Sequence, residues 1–119
     1  MKYLGLLLAV MLLSACDKQS ASGSALQGRL EAAKSISEPN ARNESLGKVA
    51  IAAANAKDIS TTTKALEGMS DPNQMNSTAA TCALTLSKLT EPKSATAIAQ
   101  LITDPNLRNS TLQTIAKGQ

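Results

Sequence analysis

Three proline-containing segments at equal intervals constrain the fold of this 119-residue chain more than any other feature. Residues 36–40, 69–73 and 102–106 each contain an apolar residue, a hydroxyl residue, a carboxylate, proline and asparagine, in that order. The interval from Pro39 to Pro72 equals the interval from Pro72 to Pro105. A residue before proline is pushed out of the helical region, whereas proline itself suits the first position of a helix. Each segment, called a corner here, is therefore predicted to end one helix and begin the next.

The carboxylates Glu38, Asp71 and Asp104 directly precede the three prolines. A carboxylate at this position can accept hydrogen bonds from the first free N–H groups of the following helix and also faces the positive end of the helix dipole. We predict that all three are N-caps. Because the same carboxylate occurs once in each repeat, a structural role is favoured over a catalytic one.

Two further sets of residues follow the corners with the same spacing. Asn43, Asn76 and Asn109 are predicted to form a structural ladder, in which they cap carbonyl groups of the neighbouring short helix or bridge adjacent long helices. Each also begins an Asn-x-Ser/Thr sequence, so glycosylation is the alternative. The second set consists of Arg42, Met75 and Arg108, which are predicted to be in register along the first turns of the long helices. They are predicted to form a binding strip, and the alternative is that they are exposed residues without a partner.

A second helix boundary repeats with the same interval as the corners, at positions 58–60 and 91–93, where an acidic residue again precedes a helix start. With the corners, it divides residues 24–119 into three helical hairpins of about 33 residues. The predicted fold class is all-α: a short right-handed α-solenoid with repeats 24–57, 58–90 and 91–119. The predicted short helices are 24–36, 59–69 and 92–102, and the predicted long helices are 40–57, 73–89 and 106–117. The run Thr61-Thr62-Thr63 favours helix poorly, so the second short helix is predicted to be the least stable.

Residues 24–119 resemble degenerate bacterial αα-repeats of the HEAT or tetratricopeptide-like kind. The resemblance rests on the corner pattern Ile-x-Asp-Pro-x-x-Arg, which Arg42 and Arg108 fit and from which Met75 departs. The chain lacks the Thr-Pro-Leu-His of ankyrin repeats and the aromatic positions of tetratricopeptide repeats. The resemblance implies stacked helical hairpins.

The segment 1–15 has the pattern of an export signal. Lys2 precedes an apolar stretch of about 12 residues, which is short of the roughly 20 residues that span a membrane. The stretch ends in Leu13-Ser14-Ala15-Cys16, which resembles the lipobox of bacterial lipoproteins. The resemblance implies cleavage before Cys16 and lipidation of its thiol, so that the protein is held on a bilayer at the periplasmic side of the cell envelope. An ordinary secretory signal with an incidental cysteine is the alternative.

Residues 16–23, which are rich in serine and small residues, are predicted to be a flexible tether between the lipid and the helical domain. Asp17 follows the lipidated position. In enterobacteria-like lipoproteins an aspartate there resembles a signal for retention in the inner membrane, which favours that membrane over the outer one.

The composition argues against an enzyme and against a cofactor. The chain has no histidine, so the common metal sites and nucleophile–base pairs are not expected. Cys82 aligns with Val49 and Ile115 and is predicted to be a buried apolar residue, with an intermolecular disulfide as the alternative. A formal net charge of +3, without blocks of like charge, does not indicate nucleic-acid binding.

The predicted function is that of a membrane-anchored periplasmic lipoprotein that acts as a small scaffold or adaptor for a protein or peptide partner. A permanent anchor and a repeat domain without catalytic groups favour it. The alternative is an inhibitory or exclusion lipoprotein, of the type encoded by phages and plasmids, which blocks an envelope machine. Small size and a simple fold are compatible with that alternative.

Overall fold

The computed structural model describes residues 25–118, and in this range the chain forms six helices and no strand. The all-α class is therefore confirmed. Residues 25–34 are helical and are called α1. The other helices are α2 (Pro39–Asn55), α3 (Ile59–Glu67), α4 (Pro72–Lys88), α5 (Pro92–Ala99) and α6 (Pro105–Ala116). The signal 1–15, the lipidation site Cys16, Asp17 and the tether 16–23 lie outside the described residues.

The long helices α2, α4 and α6 begin at the three corner prolines, one residue before the predicted starts. The short helices end two or three residues before their predicted ends at 36, 69 and 102. These predicted ends were wrong because the acidic corner residues are extended, with ψ values of 112–120°. A residue that precedes proline avoids the helical region, so the chain must leave the helix before it reaches the corner.

The helices α2 and α4 end with the same backbone motif, at equivalent positions of successive repeats. Lys57 and Thr90 have φ values of 60° and 62°, in the left-handed region. The N–H of Asp58 then donates to Ala53 O at 2.8 Å, and the N–H of Glu91 makes the equivalent bond to Leu86 O at 2.9 Å. This is the Schellman arrangement, and it reverses the chain within residues 56–58 and 89–91.

The extent of contact between successive helices depends on the connection that joins them. The most extensive contacts join α4 to α5 and α2 to α3, while contacts across the corners, between α3 and α4 and between α5 and α6, are fewer. The closest helix pairs therefore span the predicted repeat boundaries at 57/58 and 90/91. Helix α4 also lies between α2 and α6 and contacts both.

The core is built from small and medium aliphatic side chains. Among its fully covered residues are Leu30, Leu46, Leu66, Leu86, Ile98 and Ile102, together with eight alanines distributed over α2 to α5. Alanine allows helix backbones to approach closely, so a core without aromatic rings can still be filled. Cys82 is 0% exposed within this core, which confirms that it is a buried residue.

The threonine run in α3 is bound to the N-cap of the helix. Asp58 accepts hydrogen bonds from the backbone N–H of Thr61 at 3.1 Å and from its hydroxyl at 2.7 Å. The hydroxyl of Thr62 donates to Asp58 O at 2.8 Å. Both threonines are fully buried, and a buried hydroxyl group needs a hydrogen-bond partner within the protein. Asp58 supplies that partner for both. The low stability predicted for this helix remains a prediction.

Candidate functional site

The three corner carboxylates cap the long helices. Glu38 and Asp71 each accept hydrogen bonds from two backbone N–H groups in the first turn of the following helix, and Asp104 accepts one. The donor–acceptor distances lie between 2.6 and 3.4 Å. These carboxylates therefore satisfy helix N–H groups that would otherwise be free.

Two of the predicted asparagines connect each long helix to the next corner. Asn43 Oδ1 accepts from Ser70 N at 2.9 Å, and its Nδ2 donates to Ser70 Oγ at 3.1 Å. Asn76 Oδ1 accepts from Thr103 N at 2.9 Å and from Thr103 Oγ1 at 3.1 Å. We call each arrangement an asparagine clasp. Both asparagines are buried, with exposed fractions of 2% and 7%.

The predicted partners of these asparagines were wrong. The side chains bind neither carbonyl groups of a short helix nor the adjacent long helix, but the N–H and hydroxyl of the residue that precedes the corner carboxylate. That N–H needs a partner because the chain has left the helix at this point. Asn109, in the same register, is exposed, and its side chain makes no hydrogen bond within residues 25–118. Glycosylation of these asparagines stays a prediction.

The residues of the predicted binding strip are not equivalent. Arg42 Nη1 donates to Ile36 O at 3.0 Å, and Arg108 Nη1 donates to Ile102 O at 3.1 Å. Both side chains are half-buried and turned back onto their own corners. The side chain of Met75, at the same position in the middle repeat, has no N–H group to donate. Within the described residues, Met69 O, the equivalent of the two bonded carbonyls, accepts no hydrogen bond.

An open cavity of about 320 Å³ lies at the middle corner, beside Met75. We call it the middle-corner pocket. Its lining is mostly apolar, with one carboxylate and one hydroxyl: Leu66, Glu67, Met69, Ser70, Pro72, Met75 and Leu101. The pocket combines residues from the end of α3, the corner, the start of α4 and the segment after α5.

Sequence reasoning identified Met75 as a departure from the repeat pattern but missed Glu67 and Leu101. A signal for Glu67 was present in the sequence, because the aligned residues of the other repeats are Lys34 and Gln100. Leu101 gave no such signal, since its part in the pocket depends on how the third repeat packs against the second.

A second cavity, of about 410 Å³, lies between α1 and α2 and is lined by Arg29, Lys48 and five uncharged residues. The middle-corner pocket is the better candidate site, because there an unpaired carbonyl and a carboxylate coincide with a departure from the repeat.

Cys82 does not have the environment of a reactive thiol. Burial raises its pKa to about 12, so the thiol stays protonated at neutral pH. It is a free cysteine in the structure. No group of three or more histidine, cysteine, aspartate or glutamate side chains suited to a metal ion occurs among residues 25–118.

Comparisons with known proteins identify no relative: the chain matches no protein-family model, no curated protein and no solved structure. Within residues 25–118, none of the helices has the length and apolar character needed to cross a bilayer.

Proposed function

We propose that this protein is a lipid-anchored scaffold of the periplasm, whose helical domain binds an extended segment of a partner protein at the middle-corner pocket. The observation that carries this proposal is the pocket itself, a mostly apolar cavity at the corner that has methionine where the flanking corners have a hydrogen-bonded arginine. Concave, mostly apolar sites with a few polar groups are the usual form of a binding site.

The anchor is part of the proposal. The lipobox-like sequence Leu13-Ser14-Ala15-Cys16 would place two or three acyl chains on Cys16, and a single chain already gives marginal membrane binding. Residues 16–23 would hold the domain close to the headgroups, with the inner membrane favoured by Asp17.

We further propose that the repeats form a short right-handed solenoid. Two observations support a regular stack. Helix α4 contacts both α2 and α6, and in both asparagine clasps Oδ1 accepts from the N–H of the residue before the corner carboxylate at 2.9 Å. In such a stack, the corners lie along one edge and offer a row of related sites to a bound segment.

Recovery of partners from detergent-solubilised membranes tests the proposal. Met75→Arg should fill the pocket and remove a partner that the unchanged protein recovers. The matched control is Thr81→Arg, which adds the same charge at an exposed position of the same helix and should leave recovery unchanged. Partner recovery that is identical for the two variants would refute the pocket as the binding site.

The anchor is tested separately. Labelled palmitate should be incorporated into the unchanged protein and not into Cys16→Ala, which should also leave the membrane fraction. Incorporation into Cys16→Ala would refute the lipobox interpretation.

A further inference from the structure

The three corners differ at two aligned positions at once. Where the first and third corners have Arg42 and Arg108, the middle corner has Met75. Where the first and third repeats have Lys34 and Gln100, α3 ends with the carboxylate of Glu67. The middle corner has therefore lost its own cation and gained a negative charge.

The flanking corners show what an arginine does at this position. The guanidinium of Arg42 donates to the carbonyl of Ile36, which lies between the short helix and the corner proline, at 3.0 Å. Arg108 repeats the contact with Ile102 at 3.1 Å. Both side chains are half-buried, and the charged end of each binds the carbonyl.

In the middle corner the same acceptor has no donor. The repeat register places the carbonyl of Met69 opposite position 75, and no group within residues 25–118 donates a hydrogen bond to it. The cavity of about 320 Å³ lies at this same corner, with Met75 and Leu101 on its wall.

Glu67 supplies charge complementarity. Its side chain lines the cavity and belongs to an exposed residue, and it takes part in none of the ion pairs that the described residues form. An entering cation would therefore meet a carboxylate that forms no ion pair with a lysine or arginine of the described residues.

From these observations we propose that the middle-corner pocket binds an arginine side chain of a partner peptide. The guanidinium would donate to Met69 O and to the Glu67 carboxylate, while its methylene groups would pack on Met75 and Leu101. The partner would thus supply in trans the contact that Arg42 and Arg108 make within the chain. This inference rests on the proposed function and specifies the chemistry that the site recognises.

The donor pattern favours arginine over other side chains. Its planar guanidinium presents five N–H donors in a fixed arrangement, so one group can serve a carbonyl and a carboxylate together. A leucine side chain would bury the apolar wall but leave both acceptors without a partner, which is unfavourable. Citrulline has nearly the same shape as arginine but no charge, so it separates the contribution of charge from that of packing.

The test is an NMR titration of the full protein in detergent micelles with capped tripeptides that have arginine, citrulline or leucine between two leucines. The arginine peptide should shift the amide signals of residues 67–75 and 101. The other two peptides should bind at least about tenfold more weakly, since each lacks the charged hydrogen bond to the carboxylate. Equal binding of all three at the same amides would keep the pocket as a peptide site and overturn the assignment to arginine. Absence of shifts with every peptide would also overturn it.

Two variants sharpen the test. Glu67→Gln should weaken the arginine peptide about tenfold or more, whereas the matched change Glu31→Gln, at an exposed carboxylate of α1, should not. Met75→Arg should abolish peptide binding and raise Tm by about 4 °C, because it restores the contact within the chain that the flanking corners possess. If Met75→Arg still binds the arginine peptide normally, the inference is wrong.

Discussion

Removing the carboxamide of Asn43 should destabilise the fold much more than the same change at Asn109. Asn43 is 2% exposed, and its two polar atoms pair with the backbone N–H and the hydroxyl of Ser70. Substitution by alanine removes both hydrogen bonds, each worth about 1 kcal/mol net, and leaves the N–H of Ser70 without its protein partner. Because Ser70 is an exposed residue, water can replace part of that bond. We therefore expect Asn43→Ala to lower the free energy of unfolding by about 2 kcal/mol.

The assay is urea unfolding at 25 °C followed by far-ultraviolet circular dichroism, since the chain has no tryptophan to report by fluorescence. Asn109→Ala is the matched control: the same substitution in the same register of the repeat, at an exposed side chain without a hydrogen bond among the described residues. It should change stability by less than about 0.5 kcal/mol. Equal losses for the two variants would show that the clasp does not stabilise the corner.

Three further changes test other features. Gly47→Ala should raise stability by about 0.5–1 kcal/mol, because its methyl group would lie 3.6 Å from Thr78 Oγ1, an ordinary contact; a loss would mean that the helices cannot accommodate it. Thr90→Gly should stabilise by about 1 kcal/mol, because a β-branched residue is strained at φ 62°; no gain would refute the strain. Burial raises the pKa of the Cys82 thiol in the folded protein to about 12, above its ordinary value of 9.0. The protonated thiol therefore contributes fully to the free energy of unfolding below pH 9. This contribution is lost as the pH rises from 9 to 12, by up to about 1.4 kcal/mol per pH unit. In Cys82→Ala the free energy of unfolding, measured by urea unfolding at several pH values, should fall less steeply with pH above 9. The same dependence on pH in both proteins would contradict the raised pKa.

Helix starts were predictable because proline acts locally. Its ring restricts its own φ and the conformation of the preceding residue, so α2, α4 and α6 begin at the corner prolines whatever the rest of the chain does. Their N-cap carboxylates follow from the same short segment. The ends of the short helices were less accurate, because apolar periodicity alone continues through Ile36 and Ile102 after the hydrogen-bonded helix has ended.

The partners of the buried polar groups were not predictable from spacing. The sequence marks Asn43 and Asn76 as repeated residues, but the choice of Ser70 and Thr103 as partners depends on which backbone N–H the corner leaves free. The arginine positions show the same difficulty. Their register suggests a surface strip, whereas the half-buried guanidinium groups bind corner carbonyls. The middle-corner pocket requires residues from two successive repeats to be placed together, which a one-dimensional pattern does not specify.

The asparagine clasps also bear on how the chain can fold. Each clasp joins residues that are only 27 positions apart, and α4 contacts its sequence neighbours on either side. These contacts join neighbouring repeats, so they can form one after another along the chain. One repeat can therefore fold before the next repeat has folded. Each corner then binds an asparagine of the helix that precedes it in the chain.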